Sequence, residues 1–374
     1  MAVFFKYFFS LYFHFSFLKS FCQNLSIFVS INRIMHLTKI IWIVISITIS
    51  LGITPYEKNF NSNQELFAFL IENNTSSFLI SQKGDLIINE EFEVKKSLKP
   101  TSLMFFNLFQ HGFVKNRSQE DVASIQKSLI SILIGIAQQK GFLDINQSIT
   151  SHIGQWTKLT KEKEDLITIQ NLLTMTSGLD VDFNYSSEPG SEWLYNTRAY
   201  SRLINVLEQA TGLQINVLSS EWLFKPLQMT DTFWKERKKG PLGFQKDSSK
   251  YGLITTGEDL LKFGEFILNG GEVGDNHIIS DIDFFDDSFT KSQDLNEAYG
   301  YLWWLNNSKT HMTWNKGRSS GQLFSNAPED TILALGAGSR ILAIIPSKEI
   351  VLVRLGSFPN NSNFNNSLWK YIQN

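Results

Sequence analysis

The 374-residue chain has a single cysteine, Cys22. That scarcity excludes an intramolecular disulfide and any cysteine-rich metal site. Six histidines (His14, His36, His111, His152, His277 and His311) are scattered, with no HxxxH pair to share one helix face. Metal-dependent hydrolysis is therefore a poor reading. Charge of either sign is also lacking in excess: the formal net charge is −2, which gives nucleic acid no electrostatic footprint. No internal repeat is visible. Charged residues at 19% and hydrophobic residues at 43% exclude wholesale disorder.

What is present begins with an apolar run. Ile40–Ile53 carries no charge, follows Arg33 and Lys39, and is succeeded by Pro55. It suits a signal-peptide core better than a bilayer span, which needs about 20 residues. Ser50-Leu51-Gly52 supplies a small-x-small cleavage site. Residues 35–54 are thus expected to direct export, either cleaved or kept as a membrane anchor, with the rest of the chain periplasmic or facing outside the cytoplasm. A buried core helix is the alternative; the basic flank and the absence of an amphipathic face weigh against it. No cysteine follows the run, so a lipid anchor there is excluded. Residues 1–34 are crowded with Phe and Tyr and read as a doubtful extension, with translation starting at Met35.

From residue 65 onward the pattern is that of one domain, 65–374. A helix-like segment at Glu65–Glu72 leads into two apolar runs around Lys83-Gly84-Asp85, which predict a β-hairpin. Residues 93–123 show no period and read as a surface excursion. Leu129 to Ala137 is apolar on nearly all sides and ends at Lys140-Gly141, which predicts the central, buried helix. Residues 142–235 read as mostly helical. Thr256-Gly257-Glu258-Asp259 opens a helix over 260–268. Strands are expected at 299–305, 332–335, 341–345 and 350–355, with a closing helix at 368–372. The fold class is α+β: an antiparallel β-sheet flanked by helices, with a mainly helical insertion.

Ser124-Ile125-Gln126-Lys127 places a hydroxyl and an amine at i and i+3, on one helix face. At the first turn of a buried helix a lysine is poorly solvated, so its pKa falls and it can serve as a base. Ser16–Lys19 and Ser288–Lys291 match the same pattern, but neither precedes a buried helix. A plain helix cap and a surface lysine are the alternative for Ser124 and Lys127. Gly317-Arg318-Ser319-Ser320-Gly321 fits G-x-S-x-G, a motif that needs a helix after it. None is expected here, so the segment reads as a flexible loop. Tyr195 has a phenol that could relay a proton. Gly336 and Gly338 leave bare backbone at a strand edge; a bulge explains them equally well.

Six stretches, in order, now carry a resemblance: SIQKSLISILIGIAQQKGFLDINQSI, ITIQNLLTMTSGLD, WLYNTRAYSRLINVLEQATG, GLITTGEDLLKFGEFILNGGE, YGYLWWLN and LALGAGSRILAIIPSKEIVLVRLG. Together they resemble the serine β-lactamase and penicillin-binding-protein superfamily. Within it they look closest to the 6-aminohexanoate-dimer hydrolases and class C-like esterases. The resemblance implies that Ser124 is acylated, Lys127 takes its proton and Tyr195 is a second proton carrier. It implies an oxyanion hole from the backbone N–H groups of Ser124 and Ala337, the latter on a strand reaching 338. Asn196, Gly336, Gly338 and Trp303 are the substrate-binding positions it suggests, with Trp304 beside them, and no cofactor.

Two departures narrow the expectation. The family's Tyr-x-Asn motif has Thr197 in its third position, with Asn196 adjacent. Its Lys-Thr-Gly triad is here Ala334-Leu335-Gly336, which cannot hold a substrate carboxylate; Arg340, with the same strand parity, is the candidate replacement cation. An esterase or amidase acting on a small ester or amide is therefore favoured. A β-lactamase or D-Ala-D-Ala peptidase, and a non-catalytic envelope binding protein, are the alternatives.

Overall fold

In the computed structural model, residues 60–94, 103, 107–237, 250–314 and 316–372 are described. The expectations for 1–34 and 35–54 lie outside them. Among the described residues no helix is long and apolar enough to cross a membrane.

The helix α2 (Gln126–Gln139) lies at the centre of the unit Gln64–Asn374. Every side chain from Gln126 to Ala137 is buried, as its apolar sequence demands. Around it the chain builds α1 (Phe60–Glu72), β1 (Thr75–Gln82), β2 (Asp85–Glu91), β3 (Gln110–Val114) and β4 (Arg117–Asp121) before the helix. After it come α3 (Ile169–Leu173), α4 (Thr197–Tyr200), α5 (Arg202–Thr211), α6 (Ile215–Ser219), β5 (Phe233–Glu236), β6 (Tyr251–Thr256) and α7 (Gly257–Leu268). The short pair β7 (Glu272–Val273) and β8 (Asn276–His277) precedes α8 (Ile282–Ser288) and β9 (Trp304–Leu305). The chain ends through β10 (Thr310–Thr313), β11 (Lys316–Ser320), β12 (Ile332–Gly336), β13 (Arg340–Ile345), β14 (Ile350–Gly356) and α9 (Phe364–Trp369).

The main sheet runs β2-β1-β14-β13-β12-β9, antiparallel throughout. Its first strands therefore pair with its last. Nearly every residue of β1, β13 and β14 is buried, because α7 covers these strands; continuous apolar runs are what such strands need. A second antiparallel sheet, β3-β4-β6-β5, delivers the chain to α2. The α+β class and the hairpin are as expected.

Several elements differ from expectation. The supposed surface excursion holds β3 and β4; their sequence, QHGFVKNRSQED, is too polar to announce a strand. The strand expected at 299–305 shrinks to Trp304–Leu305, with Leu302 in the left-handed region at φ 63. The region 142–235 is helical only in short pieces joined by turns. The Gly317–Gly321 segment is not a loop: Lys316–Ser320 is β11, paired with β10. No helix follows it, so it is not a nucleophile elbow.

Candidate active site

Strand β4 and the helix α2 are joined by one tight turn, and that turn carries Ser124. Asp121, the last residue of β4, accepts the Ala123 N–H at 2.9 Å. Val122 N–H donates to the Leu253 carbonyl at 3.0 Å. Pinned on both sides, Ala123 takes φ 52, a conformation that costs a non-glycine residue about 1–2 kcal/mol. The strain holds Ser124 half-exposed while Val122, Ala123 and Ile125 stay buried. One helical turn on, Lys127 Nζ donates to Ser124 Oγ at 2.9 Å.

Lys127 is buried. Burial pushes its pKa well below the ordinary lysine value, and the Arg237 guanidinium adds to the effect. Its Nζ lies 4.9 Å from the Tyr195 ring centre and 4.7 Å from that of Tyr200. Those ring faces favour the charged amine by roughly 0.5–2 kcal/mol, and so oppose the desolvation that lowers its pKa. The Tyr195 hydroxyl responds oppositely: burial pushes it up to about 12, against a smaller downward pull from Ser124. The Tyr195 ring stacks on Trp304 at 5.7 Å and meets Tyr299 edge-on at 6.3 Å. The site thus pairs an amine biased by burial toward its basic, neutral form with a phenol that keeps its proton.

The end of β12 closes against the serine turn. A Cβ on Gly336 would lie 2.5 Å from the Val122 carbonyl oxygen, so only glycine permits this approach. The strand stops at Gly336 rather than reaching 338. Ala337, exposed, begins the three-residue turn to Arg340, and Gly338 sits at φ 77. Ser124 and Ala337 therefore belong to two tightly abutting turns. Among the described residues, no three His, Cys, Asp or Glu side chains gather as a metal site.

The model of the family described as Beta-lactamase matches residues 109–373. The chain belongs to the beta-lactamase family. It is a serine hydrolase, as the ordered stretches implied. An uncharacterized protein of Alkalihalophilus pseudofirmus is 24% identical over 274 residues, covering 67% of this chain and 78% of its own. A class C beta-lactamase shares the fold at TM-score 0.59 and 14% identity, over 83% of this chain and 94% of its own. So does a Bacillus anthracis protein that carries the provisional name 6-aminohexanoate-dimer hydrolase. For it the TM-score is 0.58 at 17% identity, over 82% of this chain and 79% of its own.

Against this beta-lactamase fold, three expected positions fall outside the site. Asn196 is buried and fully used by the protein. Its Oδ1 accepts the Ala199 N–H at 3.0 Å, capping α4, and its Nδ2 donates to the Leu179 and Asp180 carbonyls at 3.2 and 2.9 Å. Trp303 has no exposed surface and stacks on Phe263 in the core, so it lines no pocket; Trp304 is the tryptophan beside Tyr195. Arg340 cannot replace the missing lysine, because it is buried and bound to Glu120 at 2.6 Å. Of the rival Ser-x-x-Lys pairs, Ser16–Lys19 lies outside the described residues. Ser288 donates to the Phe284 carbonyl while Lys291 pairs with Asp294. Asp121 and Arg237 were missed; a lone carboxylate and a guanidinium far apart in sequence give no local signal.

Proposed function

We propose that this beta-lactamase-family protein hydrolyses a carboxylic ester or amide through an acyl-enzyme on Ser124. The observation that carries the reading is the 2.9 Å contact between Lys127 Nζ and Ser124 Oγ, with the amine's pKa pulled down by burial. The neutral amine takes the Ser124 proton as Oγ attacks the carbonyl carbon. The oxygen of the tetrahedral intermediate is received by the N–H groups of Ser124 and Ala337; such a donor is worth about 3–4 kcal/mol in a preorganised site. Tyr195, protonated, gives its proton to the leaving alcohol or amine as the intermediate collapses. The phenolate then recovers a proton from Lys127, which restores the base. Water enters, gives a proton to Lys127 as its oxygen attacks the acyl carbon, and the second intermediate collapses with Ser124 Oγ taking that proton back and the acid leaving.

The substrate reading rests on what stands on β12. Ala334 is buried in the family's lysine position, and Arg340 is consumed by Glu120. A substrate held by a carboxylate, as in β-lactam or peptide-terminus recognition, finds no cation there. Labelling with a fluorophosphonate probe tests the reading. The wild type should be labelled and Ser124→Ala should not; labelling that persists in the variant would overturn the nucleophile. Turnover of p-nitrophenyl acetate without turnover of nitrocefin is the expected substrate pattern.

A further inference from the structure

Behind the two abutting turns lies a buried polar assembly that the proposed chemistry does not use. Glu120 has no exposed surface and Arg340 has 1%. Arg340 Nε and Nη2 both donate to Glu120 Oε2, at 2.9 and 2.6 Å. The remaining oxygen, Oε1, accepts the Ser118 hydroxyl at 2.9 Å and the Ser76 hydroxyl. The third nitrogen of Arg340, Nη1, reaches back 2.8 Å to the carbonyl of Ala337. A second buried arginine, Arg354, gives Nη1 to the carbonyls of Gly338 and Ser339, at 2.6 and 3.2 Å. All three carbonyls of the turn are thus held from the protein side.

The peptide unit moves as one rigid plane, so a carbonyl held by a guanidinium resists rotation of the whole plane. Ala337 has its following plane held by Arg340, and its preceding residue, Gly336, is wedged against the Val122 carbonyl. Restrained on both flanks, the Ala337 N–H has little freedom to turn. The same strand controls the other donor: Asp121 holds the Ala123 N–H at the entrance to Ser124, and Glu120 is the residue before it. We infer that Glu120 and Arg340 are positioning residues of the oxyanion hole, β4 acting as a ruler that fixes the gap between the Ser124 and Ala337 N–H groups. This rests on the oxyanion hole proposed above. A buried ion pair contributes little net stability against an apolar pair of similar volume, because desolvating two charges offsets their attraction. Geometry is what such a pair can add.

The test exploits that difference. In the full-length protein, Glu120→Leu/Arg340→Met replaces the pair with apolar side chains, and Arg340→Lys leaves one ammonium where three nitrogens made three contacts. Melting temperature, kcat and KM on p-nitrophenyl acetate, and the Ki of phenylboronic acid, whose anionic adduct needs the oxyanion hole, are measured. Both variants should melt within a few degrees of wild type. Their kcat should fall about 100-fold with KM little changed, and phenylboronic acid should weaken by a similar factor. A folded variant with wild-type kcat and Ki would overturn the inference. So would failure of both variants to fold, since the pair would then be structural. A folded wild type inert to both ester and fluorophosphonate would instead overturn the functional reading beneath it.

Discussion

Arg237 grips Asp121 with two nitrogens, Nε at 2.6 Å and Nη2 at 2.7 Å, and Asp121 in turn holds the strained Ala123 that precedes Ser124. The same guanidinium raises the cost of a second positive charge on Lys127. Arg237 thus serves the backbone of the nucleophile and the protonation state of its base together.

Removing that charge should shift the pH profile. The base works deprotonated, so kcat/KM should rise with pH through the lowered pKa of Lys127 and then level off. In Arg237→Gln the amine holds its proton more firmly, and the rising limb should move to higher pH. Tyr195, pushed up to about 12, keeps its proton across the working range, so no falling limb should appear at mildly alkaline pH. Initial rates on p-nitrophenyl acetate across pH would show this; an unmoved limb in the variant would remove Arg237 from the account.

Lys127→Met should trade activity for stability. Loss of the base should lower kcat at least about 100-fold. The native state holds the amine at a lowered pKa, so between that value and the ordinary one the unfolded chain binds a proton that the native chain lacks. Stability of the wild type therefore rises with pH across this window, and methionine removes both the slope and the penalty. The variant should gain about 0.5–2 kcal/mol near neutrality, read as a higher melting temperature. A lower one would mean that the fold stabilises the charged amine.

Gly336→Ala should separate the two turns. Its methyl group would meet the Val122 carbonyl oxygen at 2.5 Å, and backbone cannot yield as a flexible side chain can. Overpacking of this kind costs about 1–3 kcal/mol. Activity should fall further than that loss explains, because β12 must withdraw from Ser124. Melting curves and kcat measured on the same preparation compare the two effects.

Asn196→Ala separates cap from substrate contact. Removing a cap costs about 1 kcal/mol, so a lower melting temperature is expected with KM within a few-fold of wild type. A large rise in KM with unchanged stability would return Asn196 to the substrate.

Legibility in the sequence followed locality. Ser124 and Lys127 are three residues apart on an apolar helix, so period and spacing were enough to bring them together. The β1–β2 hairpin and the strands 341–345 and 350–355 likewise announce themselves as short apolar runs around a turn. Tyr195 needed the resemblance, since one tyrosine among ten has no signal of its own. The partners that cross the chain stayed hidden: Arg237 to Asp121, and Arg340 to Glu120, are joined only by folding. Trp303 and Trp304 show the same limit. Adjacent and identical, they face opposite ways, and only the register of β9 decides which of them meets Tyr195.

The pairing of β1 with β14 carries a consequence for how the molecule is made. During synthesis the amino-terminal hairpin emerges early and must wait, one edge open, until nearly the whole chain has left the ribosome. Such long-range closure is slow, and an unpaired edge is a place where chains aggregate. A product cut short before Ile350 would lack not a tail but the middle of its main sheet.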